Sequence, residues 1–161
     1  MNELFLILLF ILIGGLLPLL LTRQFNFMKM LSIIFICGGS IIGLFQASKR
    51  LFGETVFSIE IECYNLFSIA LQMDAISAFF LFPIYIITIL GAVYSFHYMN
   101  KPDNSLKTAL SYLFFSLLTI SMVCVVLANN LFTFAISWEI MSVSSFFLVI
   151  YDYQKEIVRK A

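Results

Sequence analysis

Residues Leu127–Asp152 read LANNLFTFAISWEIMSVSSFFLVIYD. Two asparagines are followed by about 20 residues apolar enough to cross a bilayer as one helix. A single carboxylic acid, Glu139, interrupts the run near its middle. A charged group at the centre of a membrane helix costs roughly 2.5–3.5 kcal/mol on insertion scales. A carboxyl lowers that cost by staying protonated, and a group that does so can also load and release a proton.

The rest of the chain has the same character. Of its 161 residues 62% are hydrophobic and 11% charged, and the mean hydropathy is +1.05. A soluble domain is about half apolar and about a quarter charged, so a soluble fold is excluded. The net charge of +0 gives no footprint for nucleic acid. Five segments are long and apolar enough to span: Leu4–Leu21, Leu31–Ala47, Ile76–Phe96, Leu106–Ala128 and Leu131–Tyr151. The first reads as a membrane helix and not as a cleavable signal. It is too long for a signal core, no basic region precedes it, and no small-residue cleavage site follows.

The fold class is therefore an all-α membrane protein with about five transmembrane helices. Residues 1–50 hold the first two helices, 51–74 a loop, and 75–161 the last three helices. In the loop, Phe57 to Glu62 alternate apolar and polar, the period of a half-exposed strand. Tyr64 and Asn65 supply a turn and Leu66–Leu71 a return strand. This predicts a short extracytoplasmic β-hairpin lying on the membrane surface.

Pro18 and Pro83 fall inside the first and third helices, where a bend is expected. Gly39 and Gly43 make the small-xxx-small pattern that lets helices approach closely in lipid. Only Asn129 and Asn130 separate helices four and five, which forces a tight antiparallel pair.

Basic residues set the expected orientation. With the N-terminus outside, the inner side holds Arg23, Lys29, Lys101, Lys107, Lys155, Arg159 and Lys160, and the outer side only Lys49 and Arg50. The C-terminus is then cytoplasmic. Asp152, Lys155, Glu156 and Arg159 read as a solvated inner-face stretch, where a further helix would connect.

Glu139 is the candidate functional residue. Ala135, Glu139 and Ser142 share a face at spacings of four and three, and Ser145 lies close to it. The expectation is that this small, hydroxylated stripe turns inward, with Trp138 and Ile140 toward lipid or other helices. A purely structural role, a hydrogen bond fixing helix packing, is the other reading. No second ionisable group reads as buried in the remaining helices. Asp74, just before helix three, suits an N-terminal cap. Cys37, Cys63 and Cys124 lack metal-ligand spacing, and His97 stands alone at a helix end. There is no phosphate loop, metal cluster, nucleophile–base pair or haem motif, so no catalytic site and no cofactor are expected.

The stretches MDAISAFFLF (73–82) and 127–161 resemble the antiporter-like subunits of respiratory complex I and membrane-bound hydrogenases. The hydrogenase-4 component B type resembles them in particular, with Mrp-type sodium/proton antiporter subunits related. Trp138 with Glu139, the Ser-rich segment after them and Lys155–Arg159 carry the likeness, which spans roughly Leu71 to Ala161. It implies that Glu139 belongs to a proton-translocation path, supported by Trp138, Ser142 and Ser145. It also implies a multi-pass subunit of the cell (inner) membrane. Its partners would be other membrane and peripheral subunits of a redox-driven complex, which carry the chemistry and cofactors. Family members have about fourteen helices built around inverted repeats. The lysines that face the glutamate lie in later helices. Three readings stay open: a split gene whose remaining helices lie on a second chain, a truncated frame, or a shorter scaffold subunit that does not transport.

Overall fold

A computed structural model describes residues 2–53, 57–63, 67–99 and 105–150. The chain forms α1 (Asn2–Leu20), α2 (Phe25–Leu51), β1 (Phe57–Cys63), β2 (Phe67–Met73), α3 (Ala75–Tyr98), α4 (Ser105–Leu127) and α5 (Leu131–Ile150). All five helices are long and apolar enough to cross a membrane. The polar stretch 152–159 lies outside the described residues. So does the segment 64–66, which would close the two strands into a hairpin.

Helix α2 is longer than its apolar run. It extends six residues before Leu31 and four past Ala47, to 27 residues in all. Its polar ends are helical because they find partners. Pro18 and Pro83 sit inside continuous helices. β1 and β2 pair antiparallel, from Phe57 opposite Met73 to Cys63 opposite Phe67.

Helix α1 packs on α2 and α4, α3 packs on α2 and also touches α4, and α5 stands outboard on α4. Close contact depends on small residues, because lipid tails give helices no hydrophobic drive to associate. A methyl group at Gly39 would sit 3.2 Å from the Ile7 carbonyl oxygen of α1. One at Gly43 would meet the Tyr85 ring of α3, with Cε2 at 2.6 Å. The two glycines, one turn apart on one face of α2, thus let it approach α1 at one level and α3 at the next. Gly15 of α1 faces Ser116 and Leu113 of α4 in the same way.

The buried side chains fall in two clusters. The larger joins Ile7, Ile11, Ala47, Leu81, Tyr85 and Leu127, and the smaller joins Ile36, Ala92 and Tyr112. Buried hydroxyls are numerous for a membrane bundle, and they are satisfied on their own helices. Ser32 donates to the Met28 carbonyl at 2.8 Å, Ser40 to Ile36 at 2.8 Å and Thr88 to Ile84 at 2.8 Å. Between helices, Ser95 reaches the Tyr112 hydroxyl at 3.0 Å. Among the described residues no buried side-chain nitrogen or oxygen lacks a partner.

A lysine of α2 does lie inside, which corrects the expectation that no second ionisable group is buried in the other helices. Lys29 is 2% exposed. Its ammonium donates to the carbonyls of Phe96 at 2.8 Å and Met99 at 3.0 Å. Those oxygens lie at the end of α3, where a helix runs out of intrahelical donors and carries the negative end of its dipole. The rings of Phe25 and Phe96 flank the ammonium at 4.9 and 4.6 Å. Lys29 therefore ties the start of α2 to the end of α3.

Asp74 caps the other end of α3. Its Oδ1 accepts from the Ser77 backbone N–H at 2.7 Å. That bond holds the carboxyl below its ordinary pKa despite some opposing desolvation.

Three outcomes follow from this packing. Gly43→Ala is expected to lower stability in detergent by about 1–3 kcal/mol, as overpacking does, and Tyr85→Leu added to it should recover part of the loss. Lys29→Met leaves two carbonyls without their donor, at about 1–3 kcal/mol each. Thermal unfolding should show a loss larger than that of Lys107→Met, whose side chain is exposed. Asp74→Ala should cost about 1 kcal/mol near neutral pH. Because the folded-state pKa is depressed, this stabilisation is complete above the ordinary carboxylate range and disappears as pH falls through it. Melting curves of the two proteins should therefore converge in acid.

Candidate functional site

The turn between α4 and α5 is built against β2. Ala128 forms a β-bridge with Leu71. The Asn129 N–H donates to the Ala70 carbonyl at 2.9 Å, and the Ala70 N–H donates to Thr133 Oγ1 at 3.0 Å. Asn130 works in both directions. Its Nδ2 donates to the Ser68 carbonyl at 2.6 Å, and its Oδ1 accepts from the Thr133 N–H at 2.8 Å, capping α5. Ser77 of α3 donates to the Val126 carbonyl at 3.1 Å. The free edge of β2 is thereby covered by the turn, and the start of α5 is fixed in position and rotation.

That rotation decides where Glu139 points. The buried residues of α5 are Thr133, Ser137 and Ser144, a stripe with helical spacing that packs toward α4. Phe147 stacks on Phe114 of α4, with ring centres 4.5 Å apart. Glu139 follows Ser137 by two residues, about 200° round the helix, and its side chain is exposed. It lies about 12 Å along a helix about 30 Å long.

The expectation of an inward stripe is corrected here. Ala135, Glu139 and Ser142 do share a face, and all three are exposed on the side away from the chain's other helices. Ser145 is also exposed and donates to the Ser142 carbonyl at 2.8 Å. Trp138 is 56% exposed, with its ring 5.9 Å from that of Phe134. Neither hydroxyl reaches Glu139. Among the described residues the Glu139 carboxyl has no hydrogen-bond partner, and Lys29 is spent on α3 and lies in a different part of the bundle. Sequence reasoning passed over Lys29, although its setting FNFMKML, apolar on both sides, is what a buried or snorkelling lysine shows.

Among the described residues no three His, Cys, Asp or Glu side chains gather as metal ligands. The described features are thus an isolated intramembrane acid on an open helix face, and a hydrogen-bonded frame that orients it.

No protein-family model matches the chain. It is 30% identical to hydrogenase-4 component B of Escherichia coli over 113 residues, which are 70% of this chain and 17% of that protein. It is 32% identical to the putative antiporter subunit mnhA2 of Staphylococcus saprophyticus over 118 residues, 72% of this chain and 14% of that one. It is 32% identical to NADH-ubiquinone oxidoreductase chain 5 of Neurospora crassa over 122 residues, 74% and 16% of the two chains. The fold also matches a chain in the structure of a membrane-bound sulfane sulfur reductase, an archaeal respiratory membrane complex. The TM-score there is 0.78 at 24% identity, covering 99% of this chain and 24% of that one. The chain spans about a sixth of the length of the curated relatives it matches. By these likenesses it is a homologue, over part of their length, of the antiporter-like membrane subunits of hydrogenases, Mrp-type antiporters and respiratory complex I.

Proposed function

We propose that this chain is a proton-translocating membrane subunit, or the N-terminal part of one, in a hydrogenase-like or complex I-like assembly. Glu139 is the group that takes up and releases the proton. The observation that carries this reading is the placement of Glu139: mid-membrane, on a helix whose rotation is fixed by β2, with an open face around it. An acid there needs a neighbour that the described residues do not provide, since an intramembrane carboxyl is stable only when paired, solvated or protonated. Further membrane helices of the same assembly fit that need, on a second chain or a continuation of this one. Printed names of the relatives, a hydrogenase component, an antiporter subunit and an NADH-ubiquinone oxidoreductase chain, agree with it.

In this reading Trp138, Ser142 and Ser145 shape the contact around Glu139. Trp138 gives a large apolar surface with one N–H donor, and the two serines allow close approach. The strands lie on the extracytoplasmic side with the N-terminus, as the distribution of basic residues favours. Electron transfer and its cofactors belong to companion subunits.

A second reading, a scaffold that assembles the complex without moving ions, is favoured by the lack of a partner for Glu139 among the described residues. One substitution separates the two. Glu139→Gln keeps size and hydrogen bonding but cannot release a proton. In the assembled complex it should cut proton pumping while electron transfer continues and the amount of complex on native gels stays the same. Unchanged pumping per assembled complex removes the translocation role, and a loss of complex with normal pumping in the remainder establishes the scaffold.

A further inference from the structure

The end of α2 opposite Lys29 carries two cations in its last turn, Lys49 and Arg50. A shallow cleft lies between them and the first turn of α1, lined by Glu3, Gln46, Lys49 and Arg50. Glu3 accepts a hydrogen bond from the Gln46 side-chain N–H. Arg50 has an interaction of its own within the chain. Lys49 is exposed, and among the described residues no carboxylate pairs with it. Its ammonium rests 4.4 Å above the ring of Phe45. Lys49 is thus the cation of the lining that no described carboxylate neutralises.

The surface beneath the cleft is hydrocarbon. Ile41, Phe45 and Lys49 recur at spacings of four, so they form one stripe down α2, and Phe52 follows just past the helix end. Ile41 is 57% exposed, Phe45 60% and Phe52 93%. This stripe is apolar over the membrane-spanning part of α2 and ends in a cation at the helix terminus. Lys49 lies its stem along the stripe and presents its charge at the boundary, the usual behaviour of a lysine at a membrane interface. A free anion would gain only the charge, and an apolar ligand only the stripe. A molecule with a phosphate head and hydrocarbon tails matches both.

We propose that this cleft seats the headgroup phosphate of an anionic phospholipid. Lys49 is the principal donor, with Arg50 and the Gln46 amide beside it, and one acyl chain lies along Ile41 and Phe45. The site is independent of Glu139 and of the role proposed for it.

Native mass spectrometry of the detergent-solubilised full chain tests the assignment, with equal amounts of phosphatidylglycerol and phosphatidylcholine present. The wild-type chain should retain phosphatidylglycerol in preference. A solvent-exposed ion pair is worth at most about a factor of five, so Lys49→Gln should lower retention about fivefold and the double substitution with Arg50→Gln about 25-fold. Lys49→Arg should keep it, which separates loss of charge from loss of fold. Glycerol 3-phosphate at the same concentration should not bind. Equal retention of the two lipids, or undiminished retention by the double variant, overturns the proposal. Binding of glycerol 3-phosphate as strong as that of the lipid also overturns it, by making the cleft a free-phosphate site.

Discussion

A carboxyl group halfway along a membrane helix, turned away from the helices it folds with, is the constraint on which this molecule is organised. Hydrocarbon offers such a group no hydrogen bond, and burying an acid without a partner is among the larger costs a membrane helix can carry. The rest of the chain pairs its buried polar groups. Its buried hydroxyls donate to their own helices or across short gaps, and its buried lysine is held by two carbonyls. Glu139 departs from that pattern, and the departure points outside the described residues.

The orientation of Glu139 is not left to the helix itself. Among the described residues α5 packs chiefly on α4 and is held by β2 through the turn at Ala128–Asn130. Asn130 joins the two requirements, capping α5 with its carbonyl oxygen and bonding β2 with its amide. A turn this short has little freedom, so the strand pair acts as a template for the rotation of α5. The sheet, the turn and the acid are thus linked along one mechanical path. Asp74, next to β2, and Lys29, at the opposite end, anchor the two ends of α3.

Much of this architecture can be read in the sequence, for a definite reason. Spans of about 20 apolar residues have few alternatives to the membrane, so five helices and the tight turn at Asn129–Asn130 were legible. The alternation of Phe57 to Glu62 likewise marks a strand. Two matters were not legible. Lys29 was counted as a solvated cation, because residue type alone does not show that carbonyls of α3, about 70 residues away, come within reach. The inward face of α5 was also misjudged. Both sides of that helix carry small and hydroxylated residues: Thr133, Ser137 and Ser144 on one, Ala135, Ser142 and Ser145 on the other. A pattern that fits two faces equally cannot select one, and the selection comes from β2 and from the Phe114–Phe147 stack.

The most direct measurement is chemical. Dicyclohexylcarbodiimide modifies protonated carboxyls in apolar surroundings. Native membranes containing the assembled complex can be treated with it at a series of pH values, and the peptide bearing Glu139 quantified by mass spectrometry. An acid that exchanges protons in a membrane interior will be modified in a pH-dependent way, with labelling falling as pH rises and loss of pumping tracking the label. Absence of label at every pH, or labelling indifferent to pH, would contradict the account.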